Sequence, residues 1–299
     1  MNDGHTKLHR PIAFLGASGR IGRLLQAVER RRPDPLRRFA WQYRHGVDVG
    51  ASRFLWSDFS DPSPFIDAHA RFGFQTLCVF TGAAGQAIFS RELQEHVALT
   101  SASLTAAQSA GISRVLVASS SAIYGAAIAR PFRETDPAQP INAYGAAKRE
   151  VERLCSRYRA QTGLEICALR IGNVAGADSL LGRLCPETRE QIVLDVFPDG
   201  AGPRRSYVGA HSLYDILCAL SDCASRLPER LNVGGCTPVS MDQLLKAADI
   251  QWVARQCASE GHQNITLDCK LLGSLCPEVS GASHASDLVS EWRSLRAMQ

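Results

Sequence analysis

The stretch PIAFLGASGRIGRLLQAVERR, which starts at residue 11, narrows the possible folds more than any other part of the chain. A short apolar run breaks into glycine at position 16, glycines recur at 19 and 22, and a segment with helical periodicity follows. That order is strand, tight turn, helix. Gly16 permits the turn, Gly19 leaves room for a ligand to approach the backbone, and Gly22 lets the helix pack close to the strand. Amides at a helix N-terminus favour an anion, so Gly16, Ser18, Gly19, Arg20, Ile21 and Gly22 read as a cradle for the pyrophosphate of a dinucleotide.

The alternation continues along the chain. After the Pro-rich turn RPDPL, short apolar runs follow: RFAWQYR, RFLWSDF (53–59), QTLCVFTG (75–82), SRVLVASSS (113–121) and EICALRI (165–171). Helical patterns lie at about 87–110 and 142–162, ending at Gly111 and Gly163, where a left-handed cap is favoured. Strands covered on both faces and separated by helices predict an α/β fold with a doubly wound parallel sheet, which binds ligands at the carboxyl ends of its strands. Beyond residue 172 the pattern loosens, with Gly, Pro and Arg punctuating DVFPDGAGPRRSYVG, as expected of a smaller substrate-facing region interleaved with the last strands.

Composition excludes several classes. With a formal charge of +4 and no long basic run, the chain does not resemble a nucleic-acid binder, and ERRRPDPLRR (29–38) reads as a solvated loop. The ten cysteines form no CxxC pair and no zinc spacing, and most sit in apolar surroundings such as TLCVF, so neither a metal nor a disulfide framework is expected. The start shows no secretory signal, and no apolar run reaches the ~20 residues of a membrane span, so a cytoplasmic location and no membrane contact are expected.

The type of dinucleotide is read from the end of the second strand, QYRHG, which carries Arg44 and no carboxylate before Asp48. An arginine there suits a 2′-phosphate, and Arg20 adds charge within the glycine turn, so NADP is the first expectation and NAD the second. Farther along, INAYGAAKRE (141–150) places Tyr144 and Lys148 four positions apart, on one side of a helix.

Taken together, the glycine turn, VLVASSSAIYG and YGAAK resemble the extended short-chain dehydrogenases/reductases, the NAD(P)-dependent sugar-nucleotide epimerase/dehydratase family, over about 10–235. The resemblance implies a Rossmann-type domain over 1–172, with the strand and helix around 207–235 added to it, and a mainly substrate-binding region over 173–299. It implies Ser120, Tyr144 and Lys148 as catalytic residues. Asp58 and Phe59 match the adenosine end; Phe80, Thr81 and Gly82 match the turn after the fourth strand; Gly172 lies near the nicotinamide. On the substrate side, Ser121, Asn173 and Arg205 match positions around a nucleotide sugar, and the two long helices match those that pair with a second copy. Two departures stand out: His96 where a long-helix Asn is usual, and Ser212 where an Asp follows RSYV.

The chemistry implied is hydride transfer at a sugar carbinol or keto carbon, with Tyr144 as acid–base group, Lys148 favouring its phenolate, and Ser120 orienting the same oxygen. Family dehydratases carry Asp-Glu after the catalytic Thr; here Ser121 and Ala122 follow Ser120, so dehydration is not expected. Epimerisation with a recycled cofactor is the first expectation. NADPH-dependent keto-sugar reduction and a non-enzymatic NADP-binding sensor are the alternatives.

Overall fold

The computed structural model describes residues 9–37, 39–46, 50–82, 90–184, 191–257, 263–279 and 284–297, with the backbone alone for 90–93. The first part of the chain contains β1 (Ile12–Leu15), α1 (Arg20–Arg31), β2 (Phe39–Tyr43), β3 (Arg53–Leu55), α2 (Ser63–Phe72), β4 (Thr76–Val79), α3 (Ser90–Ser109), β5 (Arg114–Ser120), α4 (Ala143–Thr162) and β6 (Glu165–Ile171). The second contains β7 (Asn173–Val174), β8 (Ile192–Val196), β9 (Arg204–Arg205), β10 (Tyr207–Val208), α5 (Ala210–Asp222), β11 (Arg230–Val233), β12 (Val239–Ser240), α6 (Met241–Ala247), β13 (Trp252–Gln256), β14 (Asn264–Ile265), α7 (Lys270–Leu275) and α8 (Ala285–Arg296). The expected helix at 87–110 is present from Ser90; residues 87–89, like Asp48, lie outside the described residues.

Seven strands form one parallel sheet in the order β11-β6-β5-β4-β1-β2-β3. Alternation along each strand sends neighbouring side chains to opposite faces. Ile12 and Phe14 therefore join Leu24, Val28, Leu213 and Leu217 in one core layer. Ala13 and Leu15 join Phe65, Leu104 and Val151 in the other. All four residues of β1 are fully buried, which explains an apolar run with no polar alternation. The chain moves outward from β1 to β2 and β3, then returns to the other side of β1 as β4, so strand order reverses between β1 and β4. A reversal of this kind opens a crevice at the carboxyl ends of the strands.

Residues beyond 172 are shared between this sheet and its surroundings. β11 extends the sheet beside β6, while β10 pairs with β7, β13 with β8, and β9 lies between β12 and β14. The Ser212 departure has a structural counterpart. Glu291 of α8 lays its carboxylate against the N-terminus of α5, where Oε1 accepts the His211 amide at 2.9 Å. A carboxylate from a distant helix supplies the negative charge that a helix N-terminus favours.

Candidate functional site

The crevice is built from very close backbone approaches. At Gly16, φ is +95°, and a Cβ would lie 2.5 Å from the carbonyl oxygen of Phe80 at the end of β4. A Cβ on Gly22 would lie 2.5 Å from the Gly16 carbonyl and 2.6 Å from that of Ala17, so only glycine lets α1 start this close to β1. Gln42 fixes the turn from the side: its Oε1 accepts the Gly16 amide at 3.1 Å and its Nε2 donates to the Trp56 carbonyl at 2.7 Å. Sequence reasoning missed Gln42; the available signal was a polar residue within the buried strand FAWQY. Beside the turn, the Thr81 hydroxyl is buried with no hydrogen-bond partner among the described residues. A glycine cradle at a helix N-terminus with an unmet buried hydroxyl next to it fits a bound dinucleotide.

A cavity of about 570 Å³ continues from this crevice, lined among others by Arg20, Ser120, Tyr144, Gly172, Asn173 and Asp178. Ser120 ends β5, and its Oγ accepts the Ala122 amide at 3.2 Å. Asn142 caps α4 by accepting the Gly145 amide at 2.8 Å, which places Tyr144 in the first turn, half-buried at the cavity wall. Burial holds the Tyr144 phenol above its ordinary range, and a hydrogen bond with Ser120 and the charge of Arg20 offset only part of that rise. Lys148, one turn on, donates to the Ala118 carbonyl at 2.9 Å, and its ammonium lies 5.7 Å from the centroid of the Tyr144 ring.

Burial depresses the Lys148 ammonium to about 8. Between about pH 8 and the ordinary lysine value of ~10.4, the unfolded chain then binds more protons than the folded one, so stability rises with pH across that window. Below it, the full desolvation penalty is present. Lys148→Met is therefore expected to be more stable than the wild type at pH 7 by about 2 kcal/mol, after allowing ~1 kcal/mol for the unmet Ala118 carbonyl. Urea unfolding at pH 7 and pH 10 checks this: the advantage should shrink as pH rises, and an advantage independent of pH would refute the linkage.

The remaining expected residues are spread around the crevice. Gly172 donates its amide to the Val233 carbonyl at 2.8 Å, and a Cβ there would lie 2.1 Å from the Ser206 carbonyl oxygen. Asn173 lines the cavity, with its Nδ2 3.5 Å from the Tyr207 hydroxyl. Asp178 was not singled out from the sequence. Burial raises its carboxyl, whose Oδ2 accepts from Tyr207 at 3.0 Å and Oδ1 from the Gly182 amide at 3.3 Å. Ser121 is buried in the turn after β5. Arg205 does not line the cavity; its Nη1 donates to the carbonyls of Arg204 at 2.7 Å and Gln263 at 3.0 Å. Arg20 lines the cavity with Tyr144, and its Nη1 donates to the Asp178 carbonyl at 3.2 Å. The first turn of α1 thus carries this side chain to the loop after β7.

At the other end of the crevice, Arg44 follows β2, with its Nη1 3.6 Å from Glu95 Oε1 of α3. Asp58 accepts from the Ser60 amide at 2.9 Å and hydroxyl at 2.6 Å, which hold its carboxyl below the usual range. Phe59 stacks on Trp56 at 4.1 Å, and Phe80 packs on Phe14 at 4.8 Å. The His96 ring is buried between two parts of the site. A Cβ on Gly82 would lie 2.2 Å from its Nδ1, and its ring meets Tyr144 edge-on at 6.0 Å. Among the described residues, no group of acids, histidines and cysteines could hold a metal, and no helix is long and apolar enough to cross a membrane.

Residues 12–234 match the model of the NAD dependent epimerase/dehydratase family. UDP-glucose 4-epimerase of Azospirillum brasilense is 46% identical over 69 residues, 23% of this chain and 20% of the relative. The enzyme of that name from Streptococcus mutans is 33% identical over 160 residues, 46% of this chain and 48% of the relative. The matched stretches thus span no more than about half of either curated relative. Among solved structures, UDP-glucose-4-epimerase from Stenotrophomonas maltophila with bound NAD and formylated UDP-arabinopyranose superposes with a TM-score of 0.77 at 19% identity, covering 97% of this chain and 99% of that one. An NAD-dependent NDP-hexosamine 5,6-dehydratase involved in tunicamycin biosynthesis gives 0.75 at 18% identity, covering 97% and 98%. These likenesses show the fold.

Proposed function

The chain belongs to the NAD dependent epimerase/dehydratase family, and from that premise we propose that it epimerises a carbinol carbon of a nucleotide sugar, with Ser120, Tyr144 and Lys148 as the working residues. The observation that carries this reading is the cavity beyond the glycine turn, whose wall Ser120 and Tyr144 share. The turn at Gly16 and Gly22, the start of α1 and the Thr81 hydroxyl would hold the dinucleotide. When bound, its nicotinamide supplies the hydride chemistry.

The protein's own residues handle the proton and the geometry. Tyr144, as phenolate, takes the proton from the substrate hydroxyl and returns it when the carbon is reduced again. Ser120, whose hydroxyl neighbours the phenol, would hydrogen-bond that same oxygen and orient it before transfer. Lys148, anchored on the Ala118 carbonyl, holds positive charge beneath the ring. Asn173, which lines the same cavity, would offer its amide to the sugar. Dehydration is disfavoured in this reading: Ser121 and Ala122 follow Ser120, and both oxygens of the cavity carboxylate, Asp178, already accept hydrogen bonds.

The relatives named UDP-glucose 4-epimerase make UDP-glucose the first substrate to try. The test is conversion of UDP-glucose to UDP-galactose by purified protein without net consumption of dinucleotide. Stoichiometric oxidation of NADPH favours the reductase reading, and dinucleotide binding with no turnover on any UDP- or dTDP-sugar favours the sensor.

The cofactor proposal is NADP, supported by Arg44 at the end of β2, where no carboxylate appears in the described part of the turn. Its half-exposed guanidinium, near Glu95, can turn onto a 2′-phosphate. Arg44→Ala should then weaken NADP binding by about tenfold and change NAD binding by no more than about twofold. Fluorescence titration with each dinucleotide decides it, and an unchanged preference sinks the NADP assignment.

A further inference from the structure

We infer that Arg20 is a positioning residue of the reaction centre, a second cation, beside Lys148, that stabilises the Tyr144 phenolate; the inference rests on the reading of Tyr144 as the acid–base group. Arg20 sits immediately after Gly19, at the start of α1. From there its side chain enters the cavity that Tyr144, Ser120 and Asn173 line, and its Nη1 bonds the Asp178 carbonyl across the crevice. The far anchor is itself held, because the Asp178 carboxylate takes hydrogen bonds from Tyr207 and the Gly182 amide. The guanidinium is thus fixed from both walls.

The groups around the phenol can be compared one element at a time. Arg20 comes from α1, Ser120 from β5, His96 from α3, and Lys148 from α4, while Asp178 stands across the cavity. His96 meets the Tyr144 ring edge-on at 6.0 Å. Lys148 lies 5.7 Å from the ring centroid and directs its ammonium to the Ala118 carbonyl. Against the upward push of burial on the phenol, the counteracting influences are the Ser120 hydrogen bond and the charge of Arg20. Lys148 is itself pushed down to about 8 by burial, so its charge begins to fail just above neutrality. A guanidinium is a lasting charge, and within a cavity walled by protein its field is less screened than in bulk water. When the phenolate accepts a proton, the substrate O–H bond breaks and the phenol O–H bond forms; Arg20 exchanges no proton and favours the charged partner.

The test reads Tyr144 directly. Near-ultraviolet phenolate absorbance is titrated in the wild type, Arg20→Gln and Arg20→Lys, each differenced against the same protein carrying Tyr144→Phe. In Arg20→Gln the ionisation midpoint should rise by about one pH unit, a tenfold smaller phenolate fraction at neutral pH. Arg20→Lys should restore part of the shift, and the limb of the kcat/KM profile on UDP-glucose should move with it. An unmoved midpoint overturns the inference whatever the kinetics show. An unmoved midpoint with lost NADP and NAD binding overturns it by assigning Arg20 to the pyrophosphate. Undiminished turnover in Tyr144→Phe, measured with Arg20 intact, overturns the underlying reading of the site and is distinguishable on that account.

Discussion

Tyr144→Phe is expected to lower turnover by about 10³-fold or more while dinucleotide affinity stays within about threefold of wild type, the size of effect a positioned acid–base group produces. The variant removes one oxygen. The ring can keep its edge-on contact with His96 at 6.0 Å, and Ser120 keeps the Ala122 amide at 3.2 Å, so the wall of the cavity should stand. The proposed dinucleotide cradle is built by Gly16, Gly22, Gln42 and Thr81, which the substitution leaves in place. Loss should therefore fall on kcat, with little change in binding. Stopped-flow turnover and a dinucleotide titration on the same preparation separate the two quantities. A near-normal rate in this variant would remove Tyr144 from the chemistry.

The second large effect lies behind the site. Glu152 shares a helical face with Tyr144 and Lys148, at successive four-residue steps along α4, and it is almost fully buried. Its carboxylate takes Arg170 Nε at 3.0 Å and Nη2 at 2.8 Å, together with the Ser119 hydroxyl at 2.6 Å. Arg170 also donates to the Tyr124 hydroxyl at 3.0 Å, and Tyr124 donates to Asn232 Oδ1 at 2.6 Å. The network thus ties β5, α4, β6 and β11 together beneath the residues proposed to act. Removing one partner of a buried ion pair leaves an uncompensated charge, so Arg170→Met should destabilise the fold by about 3–5 kcal/mol. Arg230, 3.5 Å from Glu152, can recover only a part of that. Replacing both Arg170 and Glu152 by Met should restore much of the loss, because no charge then remains unpaired. Urea melts of the single and double variants measure the coupling. A single variant as stable as the wild type would show that the pair contributes nothing.

Much of this was legible from local pattern. The strand–turn–helix at 11–31 was readable because Gly16 needs positive φ and Gly22 leaves no room for a Cβ, both consequences of the chain in immediate sequence. The helix from Ala143 was readable from its periodicity and its Gly163 terminator. The pairing of Tyr144 with Lys148 on one face follows from helical pitch alone. Gln42 and Asp178 were not found, because what makes each matter is a group supplied by a segment far away in sequence: the Gly16 amide for Gln42, and the Arg20 guanidinium and Tyr207 hydroxyl for Asp178.

The amino-acid sequence by itself determined the parallel sheet, the glycine cradle and the candidate Ser-Tyr-Lys set, because φ preferences, apolar periodicity and four-residue spacing are properties of a few consecutive residues. Only the tertiary structure decided which charges meet. Strand order set β1 beside β4 and carried Arg20 over to Tyr144, His96 onto Gly82, and Arg205 onto the Gln263 carbonyl and outside the cavity lining. Electrostatic partners depend on distance through space, and that distance is fixed only when the layers close.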